Sequence, residues 1–385
     1  MNSRRGFLKR ALGPAWIGAS VLDQAMFRAV RARAQATGNY TLPTLFDIEK
    51  VADGIHVALA RPSTLINCNA VIIENEADLM IIDTHSKPSA VVSLVRQIRN
   101  QVSPKPLRYV VASHFHWDHS HGLPTYRRIA PHADLIASET TRKLIGEQTM
   151  PRLKASFEEL AKTIDDYKQR LAKATTAEDK ALCREMITET QDYLQEMKNF
   201  TPELPNMTLE RDLILHDKAH DLHLAFRGRG HTAGDIVVWC PQKKTVATGD
   251  LLHGFFPFIG DGFPLSWPRT LLHVAQFPFS QAAGGHGGVL RDQTRLYQMA
   301  NYIEEVTERV VVGRRNGKTR AQLETEVTPA TLKTVADGGF GDRTAESVLK
   351  FRRLPPPRPT VAQVLSDSVK TNVGQIYLSM ERSTE

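Results

Sequence analysis

His114-Phe115-His116-Trp117-Asp118-His119 is the stretch that decides how this chain is read. It follows the apolar run Tyr109-Val110-Val111-Ala112, which the sequence predicts as the end of a buried strand over residues 107–112. Three imidazoles and a carboxylate delivered at a strand end can converge on one point. Such donors suit zinc, iron or manganese, and no cysteine lies nearby to form a structural thiolate zinc site.

Outward from the cluster, the preceding residues 43–83 carry short β-like runs, at Gly54-Ile55 through Ala60, Asn69 to Ile73 and Leu79 to Ile82. An amphipathic stretch from Ala90 to Val102 separates them from the strand that bears the histidines, and a second helix and strand reach Ala137. Strands alternating with helices predict an α/β layer structure. Residues 150–200 differ: they lack Gly and strand runs, are rich in Lys, Glu, Ala, Leu and Gln, and predict a helical hairpin whose second helix Thr176 caps. Strand runs resume at Thr208–Leu215, Asp221–Phe226, Asp235–Cys240 and Thr245–Thr248. The expected organisation is therefore one domain over 43–300 with two half-sheets around an inserted hairpin, followed by a helical extension over 301–385 that is broken at Pro355-Pro356-Pro357-Arg358-Pro359.

The formal charge of +7 suggests a polyanionic partner only until its distribution is considered. Residues 1–36 hold seven basic side chains against Asp23, which leaves the remainder at +1, so bulk charge gives no reason to expect nucleic-acid binding. Within that segment, Ser3-Arg4-Arg5-Gly6-Phe7-Leu8-Lys9 and the mildly apolar run Ala11 to Leu22 resemble a bacterial twin-arginine export signal. The run is too short to span a bilayer stably, and small residues favour cleavage after Ala34 or Ala36. The resemblance implies a partner in the twin-arginine export machinery, a periplasmic or secreted product and no membrane span after processing. Cys68, Cys183 and Cys240 fit neither a disulfide framework nor a zinc motif, and Cys68 and Cys240 are read as small core residues.

Three later motifs complete the pattern. Gly230-His231-Thr232-Ala233-Gly234-Asp235 sets a histidine in a glycine turn, Thr248-Gly249-Asp250 ends a strand on a carboxylate, and Gly284-Gly285-His286-Gly287-Gly288 lets backbone approach a bound group closely. In this order, over roughly residues 45 to 290, the chain resembles the metallo-β-lactamase superfamily of hydrolases. The resemblance implies a four-layer αβ/βα sandwich with metals at one edge of two facing sheets. It assigns His114, His116 and His231 to one ion, Asp118, His119 and His286 to a second, and Asp250 to a bridge between them. Asp83, ending Met80-Ile81-Ile82, matches the family's supporting aspartate behind a ligand histidine.

The implied cofactors are two zinc ions, with iron or manganese as alternatives. Bound zinc lowers the pKa of water from about 15.7 to about 7. The expected nucleophile is a hydroxide shared by the ions and oriented by Asp118, with no serine or cysteine required. Asp250 replaces the cysteine of the best-known lactamase subclass, and His116 replaces the glutamate of the flavin-linked di-iron branch. Trp117 is similar to the residue found there in hydroxyacylglutathione hydrolases, whereas Ser280-Gln281-Ala282-Ala283 lacks the β-branched strand usual in the family. Trp117, His85, His253, Phe255 and Phe256 are candidates to wall a small-molecule pocket. His121 is read as an ordinary hydrogen-bonded or surface histidine. The expectation is an exported dinuclear zinc hydrolase cleaving an ester, thioester, lactone or lactam. The alternatives are a mononuclear iron enzyme resembling persulfide dioxygenases and a non-catalytic metal-binding periplasmic partner protein.

Overall fold

The computed structural model of the chain describes residues 44–336 and 339–382. The twin-arginine segment expected over 1–36 lies outside the described residues. Seven strands, β1 (Phe46–Ala52), β2 (Ile55–Ala60), β3 (Ala70–Glu74), β4 (Leu79–Ile82), β5 (Leu107–Val111), β6 (Asp134–Ser138) and β7 (Met207–Leu209), form one sheet in sequence order. Pairing is antiparallel from β1 to β4 and parallel from β4 to β7. A second sheet holds β8 (Asp212–His216), β9 (Asp221–Phe226), β10 (Ile236–Cys240), β11 (Thr245–Gly249) and β12 (Gln281–Gly284), antiparallel except for the β11/β12 pair.

Period-two alternation decides which layer each side chain enters. Ile72, Ile81, Val110 and Leu135 face outward onto Leu94 and Ile98 of α1 (Pro88–Gln101), beyond which come α2 (Trp117–Ser120) and α3 (Leu123–Ile129), whose Leu123 and Tyr126 join the same core. Their sequence neighbours Ile73, Met80, Ile82, Val111 and Ile136 face inward and meet Leu222, Leu224, Ile236 and Val238 of the second sheet. Val237, Trp239 and Val246 face the far side, against helices that include α6 (Trp267–Val274), α7 (Thr294–Arg315), α8 (Arg320–Glu326), α9 (Lys333–Ala336), α10 (Phe340–Phe351) and α11 (Val361–Arg382). Helix, sheet, sheet and helix make the four-layer αβ/βα sandwich expected from the sequence, with a helical C-terminal region in its last layer. Helix α7 runs across residue 300, and residues on both sides of that point share one core with the second sheet.

The hairpin is longer than the 150–200 expected. Its first helix, α4 (Glu139–Lys173), follows β6 directly because Ser138 Oγ accepts a hydrogen bond from Thr141 N at 3.0 Å and caps it. Pro151 lies within α4 without ending it. The second helix, α5 (Ala177–Met197), begins at the predicted cap, with Thr176 Oγ1 accepting from Asp179 N at 3.0 Å. Ser280-Gln281-Ala282-Ala283 also forms its strand without β-branched residues. Parallel pairing of Gln281–Gly284 with β11 supplies what propensity does not, and the small Ala282 and Ala283 are fully buried between neighbours. Among the described residues no helix is long and apolar enough to cross a membrane.

Candidate metal centre

The donors gather at one edge of both sheets. His114 and His116 follow β5, Asp118 and His119 lie in α2, His231 sits between β9 and β10, Asp250 follows β11, and His286 follows β12. His116 Nδ1 lies 3.1 Å from His114 Nε2 and 2.8 Å from His231 Nε2. Asp118 Oδ2 is 3.5 Å from His119 Nε2 and 3.3 Å from His286 Nε2. Asp250 reaches both groups: one oxygen is 3.5 Å from His119 Nε2, the other 3.6 Å from His231 Nε2 and 3.3 Å from His286 Nε2. The structure thus brings together all seven expected donors, as one triad of His114, His116 and His231, one of Asp118, His119 and His286, and Asp250 between them.

This arrangement fits cations. Three imidazole nitrogens aimed at one another cannot all be satisfied, because a neutral ring carries only one N–H. His119 Nε2 and Asp250 Oδ1 are buried without a hydrogen-bond partner. Burial pulls His114 and His231 well below the usual histidine range, so both are neutral and able to donate a lone pair. Burial also opposes charge on Asp118 and Asp250, but the neighbouring histidines outweigh it and hold both carboxyls well below their ordinary range.

Outer contacts orient three of the histidine rings. Asp83 Oδ2 lies 2.9 Å from His119 Nδ1, and Asp83 Oδ1 accepts from Ser113 N at 2.8 Å, so the expected supporting carboxylate stands behind His119 and turns its Nε2 inward. His231 Nδ1 donates to Phe258 O at 3.2 Å. His116 Nε2 meets Asp261 Oδ2 at 2.9 Å, and Arg152 of the hairpin clamps the same carboxylate with bonds of 2.8 and 2.7 Å. Burial favours protonation of Asp261, yet Arg152 and His116 together hold its carboxyl far below the usual range. Neither Asp261 nor Arg152 stood out in the sequence. The glycines flanking Asp261, at 260 and 262, are the one signal there, because they mark a loop that must bend closely. Two glycines are required by space: a Cβ on Gly285 would lie 2.3 Å from Asp250 Oδ1 and 2.5 Å from His119 Cε1, and one on Gly249, at φ +50, 2.3 Å from Ser113 Oγ.

The pocket expectations divide. Trp117 does line a cavity of about 230 Å³ between the hairpin and the donors, whose walls include Leu65, His116, Leu153, Leu160 and Tyr193. Phe255 instead stacks on His286, with ring centroids 5.5 Å apart. Phe256 is turned into the outer core against Tyr302 and Phe340, so it is no pocket wall. His85 and His253 also depart from expectation, because they are 0% and 2% exposed and have almost no surface to offer a substrate. His85 Nδ1 donates to Cys68 O at 3.2 Å while its ring packs on Phe46, and His253 Nδ1 accepts from Phe255 N at 3.0 Å behind His286. Burial depresses both to about 3. His121 is not at the surface: its ring packs at a tilt against Phe200, with centroids 4.6 Å apart, and it lines the same cavity as Trp117.

The family model described as "Metallo-beta-lactamase superfamily" matches residues 63–283. Among solved structures, a metallo-beta-lactamase from Pontibacter korlensis is similar at 18% identity, covering 66% of this chain and 98% of that one, with a TM-score of 0.48. The metallo-beta-lactamase FIM-1 from Pseudomonas aeruginosa, solved in a mono-zinc form, is similar at 17% identity, covering 68% and 97%, with a TM-score of 0.46. With the family model spanning more than half of its length, the chain belongs to the metallo-β-lactamase superfamily.

Proposed function

We propose that the protein is a dinuclear metal-dependent hydrolase, with zinc as its metal, that cleaves an ester, thioester, lactone or lactam. The observation that carries this reading is the pair of donor triads sharing Asp250. Divalent ions held by these residues supply Lewis acidity, which acidifies water and polarises the bond to be cleaved.

The chain's own residues prepare the site. His114 and His231 stay neutral through burial, Asp83 and Asp261 fix the rings of His119 and His116, and Asp118 orients the attacking water. Phe255 over His286, and Phe258 at 5.8 Å from the His116 ring, limit solvent access. The Cys68 thiol does not compete as a nucleophile, since burial pushes it up to about 12. The Ser3 to Lys9 motif supports export of the folded enzyme to the periplasm or beyond, and Trp117 supports a kinship with hydroxyacylglutathione hydrolase-like thioesterases.

The test is metal analysis of protein purified without added metal, together with turnover of activated esters and a lactam. Near two zinc per chain and hydrolysis abolished by a chelator are expected. Near one iron per chain with oxygen consumed in the presence of persulfide would instead establish the oxygenase alternative, and no turnover of any substrate would favour a binding role.

A further inference from the structure

The geometry points to an acyl-chain subsite: the cavity between the helical hairpin and the metal centre takes the uncharged apolar arm of an ester or thioester and sets its chain-length preference. This rests on the hydrolase reading above and names its substrate class. His116 is a wall common to both places, with Nδ1 facing the other donors and the same residue bounding the cavity. The cavity therefore adjoins the donor set at His116, next to where a reacting carbonyl would lie. Opposite His116, the hairpin supplies Leu153, Leu160 and Tyr193, and Trp117 packs edge-on to Tyr193 at 5.8 Å.

Charge decides what the cavity accepts. Arg152 is the one cation in its lining, and both its terminal nitrogens are bound to Asp261 while its guanidinium covers the Phe115 ring at 5.0 Å. The only acid in the lining, Glu159, is paired at the exposed surface with Lys162 at 2.7 Å. With no charge left to receive a carboxylate or an ammonium, an ionic group would be desolvated without compensation. At about 230 Å³ the cavity has room for several methylenes of such an arm.

The experiment is calorimetric titration of the purified metal-loaded protein with butanamide and octanamide, neutral probes that differ by four methylenes. Each buried methylene contributes about 0.8 kcal/mol, roughly fourfold in affinity, so full burial predicts about 200-fold tighter binding of octanamide, and any preference above about threefold supports the subsite. Leu160→Trp or Ser156→Leu, which fill the cavity, should reduce the preference below about threefold, with metal content and circular dichroism confirming a folded chain. The subsite is overturned if wild type prefers octanamide by less than about threefold, or if the preference survives in a folded variant. Parallel assays with p-nitrophenyl acetate and octanoate separate the two ideas. Turnover of both esters without amide discrimination leaves hydrolysis standing and sinks the subsite, whereas octanamide binding without any turnover does the reverse.

Discussion

Asp261→Ala tests whether a residue outside the donor set controls one of the two proposed metal positions. In the structure the carboxylate is 2.9 Å from His116 Nε2 and is fixed by two bonds from Arg152. Removing it lets His116 adopt the other tautomer, which would direct an Nδ1–H at His114 and His231. A hydrogen bond to a charged group is worth about 1.5–3 kcal/mol, and loss of such a support typically weakens metal binding about 10- to 100-fold. The two figures agree, since about 1.4 kcal/mol is one decade. Asp261 is 18% exposed, so the lower half of the range is the better expectation. Competition of zinc against a chromophoric chelator should resolve two steps. In Asp261→Ala one step weakens by about 10- to 30-fold and the other stays within about threefold. Arg152→Met, which keeps the acceptor but frees it to move, should weaken the same step by about three- to tenfold. Both steps at wild-type affinity in Asp261→Ala would refute the idea that this carboxylate sets the His116 tautomer.

Three further predictions follow from the same geometry. Gly285→Ala drives a Cβ into Asp250 and His119, so metal content should fall below one equivalent per chain; a variant with two equivalents would show that the loop can yield. Asp250→Ala should lose one metal equivalent and most hydrolysis, and retention of both would remove Asp250 from its bridging place. His85, depressed to about 3 by burial, is neutral in the fold, so its contribution is present above its ordinary value near 6.5 and is lost as pH falls toward 3. At pH 5 that loss is about 2 kcal/mol. Urea unfolding at pH 7 and 5 should show a fall in stability smaller by about this amount in His85→Gln than in wild type. Equal falls in the two proteins would contradict this account.

Most strands were legible from local pattern, whereas the four-layer sandwich and the grouping of the seven residues came from the family resemblance. Ile72 and Ile73, or Val110 and Val111, enter opposite cores through strand periodicity alone. Each donor, too, lies in a short motif at a strand end. What was not legible depends on long-range approach or on backbone reversal. Arg152 and Asp261 are 109 residues apart, and nothing in either local sequence announces the other. His85 was placed near the pocket because it follows Asp83, but left-handed φ values of +70 at both residues turn its ring away, toward Cys68 and Phe46. The start of the hairpin was missed because β-branched Thr140 and Thr141 and the glycine at 146 obscure helical periodicity, while the capping Ser138 is also the last residue of a strand.

His114 through His119 descend from one sheet, whereas His231, Asp250 and His286 descend from the other. The sheets meet mainly through apolar contacts, which set distance but little direction, with a few polar ties such as Asn69 Nδ2 donating to Gly284 O and Gly287 O at 3.0 and 2.9 Å. Ions held by donors from both sides therefore act as removable cross-links between halves that are separated in sequence by the whole hairpin. By mass action, each tenfold rise in free ion above its dissociation constant adds about 1.4 kcal/mol to the folded state. On the proposed reading, metal supply would govern the mechanical registration of the two sheets as well as the chemistry at their edge, and depletion should loosen the sandwich along its whole seam.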